Sequence, residues 1–233
     1  MVLLLVIAGP PALAFYMMCT HWVAVPFWDE WQTPGAQIAS HLQGTLTFAE
    51  LCSQHNESRK LFPRLVYLPV ALAAGWDVRY IMVLTFALVC AGSVLLYALA
   101  RRSCGSPLAS LVCFAAMNVW LFWPRQYESF VLSIQGELFV PPLALLGACL
   151  INLSRLGPWH KAGANAALAH FSTYTVANGM LVWLLAVPLV TRTTSPGARS
   201  ESANRTARLA RCGYAGAGVT SISCYFYGYH TRL

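Results

Sequence analysis

LFPRLVYLPVALAAGW, from Leu61 to Trp76, is sixteen residues long and contains two prolines and Arg64. It is apolar enough to enter a bilayer but short for crossing one, because a spanning helix takes about 20 residues. Whether it crosses decides the side of every later loop, and the basic residues discriminate between the two cases. If the segment only dips into the outer interface, Arg101, Arg102, Arg155, Lys161, Arg192, Arg199, Arg205, Arg208 and Arg211 all fall on the cytoplasmic side. Arg59, Lys60, Arg64, Arg79, Arg125 and Arg232 then fall outside. If it spans, the basic majority lands outside. Cytoplasmic loops carry the excess of Lys and Arg, so 61–76 reads as an interfacial or re-entrant helix.

That question presupposes a membrane, and the composition supplies one. The chain has 233 residues, 58% of them hydrophobic and 10% charged, with a mean hydropathy of +0.56. Soluble domains carry about 25% charged residues. An integral membrane protein is therefore expected, with lipids as its surroundings. The net charge of +7 is spread between apolar runs rather than along one face. No zinc finger, helix-turn-helix or RNA-binding signature occurs, so no nucleic-acid partner is expected. None of the eight cysteines forms a C-x-x-C pair and most lie in apolar runs. They read as small apolar residues, not as a disulfide framework.

The other apolar runs follow. Met1 to Val25 is a first span, kinked or loosened at Gly9-Pro10-Pro11. Tyr80 to Ala100 stops at Arg101-Arg102, Pro107 to Trp123 follows, and Leu138 to Leu153 ends near Arg155. Ala162 to Val190 is interrupted by polar residues from Ser172 to Asn178 and then by Gly179, which suits two short helices meeting at Asn178-Gly179. Thr191 to Arg211 reads as a polar basic cytoplasmic loop, and Cys212 to Tyr229 as the last run. The expected fold is all-α: one polytopic transmembrane bundle over residues 1–233, with about seven spans and a cytoplasmic N-terminus. Residues 26–60 form a long first extracytoplasmic loop. Its turn signals, Pro34-Gly35 and Gly44, bracket one short surface helix at AQIASHLQ, and TFAELCSQ reads as another, with Thr47 as N-cap.

This topology gathers the acids. Asp29, Glu30, Glu50, Glu57, Asp77, Glu128 and Glu137 all fall outside, and Glu201 alone falls inside. Acids hardly influence orientation, so their gathering points to a shared site. Asp29 and Glu30 sit between Trp28 and Trp31 at the end of the first span. They read either as solvated acids in an aromatic belt or as a general base at the mouth of a cavity. His55, Asn56, Glu57, Arg59, Lys60 and the nearby Arg64 read either as a hydrophilic loop or as a cationic anchor for phosphate, with His55 and Glu57 adjusting it. Arg125, Tyr127 and Glu128 cap the outer end of another span, or complete the site that Asp29 begins. No zincin, α/β-hydrolase or P-loop motif is present. Carboxylates suit a hard divalent cation, but no complete ligand set is visible.

Taken together, WDEW, HNESR, LFPRLVYLPVALAAGW, the Arg101-Arg102 closure, RQYESF and the break at Asn178-Gly179 resemble, in order and side, the polytopic GT-C glycosyltransferases. That superfamily includes protein mannosyltransferases and lipid A aminoarabinose transferases, and the closest likeness is to uncharacterised bacterial membrane proteins of this type. The resemblance implies a bacterial inner-membrane enzyme that transfers a sugar from a polyprenyl-phosphate-linked donor to an extracytoplasmic acceptor. Asp29 would be the base, with Glu30 as second choice, and Glu128 would position the acceptor or support Asp29. Arg59, Lys60, Arg64 and Arg125 would meet the departing phosphate, while Tyr127 and Asn178 lie in the matching stretches. GT-C enzymes usually carry nine or more spans, so the chain is expected to be an N-terminal portion. The alternatives are a transporter or flippase without covalent chemistry, and an inactive fragment.

Overall fold

The computed structural model describes residues 2–189 and 198–230. Eleven α-helices are linked by short 3-10 turns and two two-residue strands among the described residues. The chain forms two compact units, Met1–His55 with Lys60–Val140, and Asn56–Arg59 with Pro141–Leu233. Among the described residues, four helical stretches are long and apolar enough to cross a membrane: Val2–His21, Arg79–Ser103, Pro107–Val131 and Ser133–Asn152. The protein is accordingly a helical protein of the integral-membrane kind.

In the first unit, α1 (Val2–His21) runs through Pro10 and Pro11. Proline has no N–H, so Pro11 cannot bond the carbonyl of Ile7 one turn back. The buried side chain of Asn118 takes over: Nδ2 donates to that carbonyl at 2.8 Å, while Oδ1 accepts from Ser93 at 2.6 Å. A freed helix carbonyl inside an apolar bundle is thus satisfied by a neighbouring helix.

The first surface helix forms where the turn signals place it, as α2 (Gly35–Leu42), while the one expected over Thr47–Gln54 is a single turn, α3 (Phe48–Leu51), with Gln54 already in a short strand. Thr47 caps α3 by accepting from the backbone N–H of Glu50. The Glu50 carboxylate does not reach back to the cap; it accepts from Ser40 of α2 at 2.7 Å and ties the two helices together. α4 (Leu61–Ala73) has 13 residues, or about 20 Å at 1.5 Å per residue. That is well short of a hydrocarbon core of about 30 Å.

α5 (Arg79–Ser103) ends on Arg101 and Arg102, which suit the negative end of a helix dipole. α6 (Pro107–Leu121) opens with Ser106 as N-cap and Pro107 in the first turn. A 3-10 turn at Pro124–Gln126 leads into α7 (Tyr127–Val131). Behind these helices a run of rings fills the core: Phe15 lies 5.1 Å from Phe86, which also meets Phe122 and Phe130. Phe130 in turn contacts Phe139.

The second unit contains α8 (Val140–Asn152), α9 (Pro158–Thr173), α10 (Leu181–Leu185) and α11 (Ala198–Phe226). The break expected near Asn178-Gly179 is present as a 3-10 turn at Ala177–Met180. Gly179 is required there, because a Cβ would stand 2.0 Å from the Ser172 carbonyl oxygen.

The polar stretch read as a loop over Thr191–Arg211 is corrected from Ala198 onward, where α11 begins; residues 190–197 lie outside the described set. Charge density suggested a loop, but the period says helix. Ala207, Ala210, Tyr214, Ser221 and Tyr225 are buried and recur at helical spacing along one face. On the same helix Gly213 and Gly218 admit the rings of Trp159 and Trp183, each about 3.0 Å from where a Cβ would be. α9 and α11 run parallel, since Trp159 meets Gly213 while His170, further along α9, meets Ser221 at 2.9 Å.

Candidate functional site

The acids at the end of the first span occupy a 3-10 turn, Trp28–Trp31. Such a turn has three residues per revolution, so neighbouring side chains diverge by about 120°. Asp29 and Glu30 consequently face different surroundings.

Glu30 points inward and is 2% exposed. Its Oε2 accepts from the Phe27 backbone N–H at 2.8 Å. Its Oε1 accepts from the Ser133 hydroxyl at 2.5 Å and from the Ile134 N–H at 3.2 Å. Glu30 therefore pins the first loop to the 3-10 segment Ser133–Phe139, and both of its oxygens are occupied.

Asp29 keeps 28% of its side-chain surface. Its Oδ2 stands 3.6 Å from Nε2 of His55, which is 7% exposed. Burial pushes the His55 pKa down; Lys60 acts the same way, Asp29 opposes, and Arg64 adds to the lowering. These surroundings favour the uncharged imidazole.

Behind this pair lie the two cations. Lys60 Nζ meets Glu137 Oε1 at 2.5 Å, with both side chains buried. The second oxygen of Glu137 has no hydrogen-bond partner among the described residues. Arg64, at the start of α4, is wholly buried. It donates from Nε to the Thr33 hydroxyl at 3.0 Å and from Nη1 to the carbonyls of Glu50, Leu51 and Ser53. Thr33 in turn donates to Gln37 at 3.0 Å. The guanidinium thus closes the C-terminal end of α3 and anchors the loop on α4, as five-donor forks do at carbonyl clusters.

Two tryptophans border the cluster in the left-handed region of backbone space, Trp28 at φ 53° and Trp76 at φ 58°. Bulky residues adopt that conformation only where surrounding structure imposes it. Trp76 packs edge-on against Trp31, ring centroids 5.0 Å apart.

The remaining sequence candidates lie in other settings. Arg125, Tyr127 and Glu128 are exposed, and the Tyr127 hydroxyl donates to Glu128 at 3.3 Å. Tyr127 also lines an apolar cavity of about 260 Å³ together with Met17, Met18, His21, Trp123 and Phe130. In the second unit, Arg59 donates to the carbonyls of Tyr225 and Tyr227 at 2.6 and 2.5 Å and caps α11. The Tyr225 hydroxyl donates to the Glu57 carbonyl at 2.7 Å. Asn56 takes a left-handed turn conformation, φ 50°. Asn178 is exposed in its 3-10 turn.

Glu137 is the cluster member that sequence reading counted among the outer acids without assigning it to the site. The signal was present: it is a lone acid at the head of an otherwise apolar run, and such a residue requires a partner. No three His, Cys, Asp or Glu side chains form a metal-ligand group among the described residues. Comparison with protein-family models, curated proteins and solved structures finds no match.

Proposed function

We propose that this chain is a GT-C type membrane glycosyltransferase, with about seven spans and a cytoplasmic N-terminus, residing in the bacterial inner membrane. It transfers a sugar from a polyprenyl-phosphate-linked donor to an acceptor on the outer side. The observation that carries the reading is the division of labour at residues 29 and 30. Glu30 is consumed by three hydrogen bonds, while its neighbour Asp29 stays open to solvent against a neutral imidazole.

In the reaction the acceptor hydroxyl gives its proton to the Asp29 carboxylate as its oxygen attacks the anomeric carbon. The bond from that carbon to the phosphate oxygen breaks, and polyprenyl phosphate leaves with the electron pair. General-base help of this kind is worth about 10²–10⁴-fold. Arg125, which is exposed, meets the departing phosphate. Lys60 and Arg64, engaged with Glu137 and with loop carbonyls, contribute their field. Glu128 positions the acceptor. Arg59 serves chiefly as the α11 cap.

One observation favours a second reading. A buried Lys–Glu pair whose second carboxylate oxygen has no partner among the described residues is also the kind of group that couples ion movement in transporters. Purified protein, given a labelled polyprenyl-phosphate sugar and an acceptor, distinguishes the two. A transferase releases polyprenyl phosphate, and Asp29→Asn abolishes the release. A transporter moves the labelled lipid intact, and unchanged release by Asp29→Asn removes Asp29 from the mechanism.

A further inference from the structure

Three basic side chains, His55, Lys60 and Arg64, share the cluster, and the one shown in contact with Asp29 is the histidine, which is able to be neutral. Lys60 is turned to Glu137. Arg64 is turned to Thr33 and the carbonyls of Glu50, Leu51 and Ser53. A full cation in contact with an aspartate lowers its pKa by about 1–3 units, and so weakens it as a base. A neutral N–H donor orients the same carboxylate at far smaller loss of basicity.

We propose that His55 is a positioning residue for Asp29: as a neutral imidazole it donates from Nε2 to the Asp29 carboxylate and aims it without suppressing its capacity to accept a proton. This rests on the general-base reading of Asp29 given above. The geometry is that of an inner imidazole and an outer carboxylate. His55 is buried, Asp29 is partly exposed, and Nε2 is the nitrogen that faces Oδ2, at 3.6 Å. Oδ2 itself lies just beyond ordinary hydrogen-bond reach of Nε2, and catalytic contacts commonly tighten when substrate binds.

The groups facing the imidazole set its charge. Lys60 and Arg64 oppose a second proton on the ring, burial opposes it further, and Asp29 favours it. Glu137 lies beyond Lys60 and is paired with it. During transfer His55 keeps its own proton on Nε2, and the acceptor's proton goes to Asp29. In acid the ring becomes a full cation against Asp29, the carboxylate holds its charge more firmly, and proton acceptance falls.

The test has two arms on the purified full chain. In the first, ¹⁵N-histidine labelling follows the ring nitrogens of His55 through a pH titration, with the signal assigned by its loss in His55→Gln. The expected result is a neutral ring protonated on Nε2, charging below the ordinary value of 6.5 and altered by Asp29→Asn. An Nδ1–H tautomer, or a ring that titrates like an exposed histidine, overturns the proposal whether or not sugar is transferred. In the second arm, transfer is measured against pH in wild type and His55→Gln, whose amide can donate but cannot charge. The expected variant loses several-fold in kcat with KM unchanged, and its acid limb moves to lower pH. An acid limb that stays in place overturns the proposal. Absence of any Asp29-dependent release in wild type overturns the transferase reading instead, and leaves the first arm to decide the role of His55.

Discussion

Glu30→Gln should cost the fold about 2–3 kcal/mol, and Asp29→Asn, one residue earlier, less than about 0.5 kcal/mol. Glu30 is an acceptor on every side: the Phe27 N–H approaches Oε2, and the Ser133 hydroxyl and Ile134 N–H approach Oε1. Glutamine has the same shape but turns one acceptor into an NH₂ group. If its oxygen stays with Ser133 and Ile134, the NH₂ faces the Phe27 N–H, donor against donor. One hydrogen bond to a charged acceptor is lost, at about 1.5–3 kcal/mol, and a buried N–H is left unsatisfied. The opposite flip exposes two donors to the NH₂ and is worse unless the Ser133 hydroxyl turns. Asp29 is partly exposed, and its amide retains a contact with His55. Equilibrium unfolding in mixed micelles, with tryptophan emission as the signal, measures both variants against wild type. Equal costs, or a larger cost for Asp29→Asn, would refute the division of the pair into a structural and a reactive carboxylate.

Asn118→Leu should cost about 1–2 kcal/mol by orphaning the Ile7 carbonyl and the Ser93 hydroxyl. In a Pro11→Ala background, where the helix supplies its own donor to Ile7, the penalty should shrink, and a double-mutant cycle by the same unfolding assay reads the difference. Gly179→Ala should destabilise the second unit by about 2–3 kcal/mol, because its Cβ would collide with the Ser172 carbonyl; protease susceptibility of the α9–α10 break reports it. His55 makes stability depend on pH. Its folded pKa lies below 6.5, so the unfolded chain binds more protons between the two values, and stability drops as pH falls through that window. Unfolding midpoints measured from pH 7 downward should show a fall that His55→Gln flattens.

Sequence pattern was sufficient for some elements and blind to others. Thr47 three residues before Glu50 announced the cap of α3, and Pro34-Gly35 with Gly44 bracketed α2, because both signals act within one turn of chain. The break before Gly179 was legible for the same reason. The fates of Asp29 and Glu30 were not: adjacent acids look alike in sequence, and only Ser133 and Ile134, brought from far along the chain, decide which one turns inward. Lys60 meets Glu137 across 77 positions, a pairing that no local rule contains. Arg59 adjoins Lys60 in sequence, and its guanidinium reaches the end of α11 at Tyr225, a pairing that periodicity does not see. The start of α11 was hidden because charge density outweighed the spacing of its small residues.

The most direct test of the whole account is release of polyprenyl phosphate from a labelled lipid-linked sugar by the purified chain, compared with an Asp29→Asn variant that unfolds like wild type. The account predicts acceptor-dependent release, reduced at least about 10²-fold in the variant. Release at the wild-type rate by Asp29→Asn, or movement of the intact labelled lipid without any release, would contradict it.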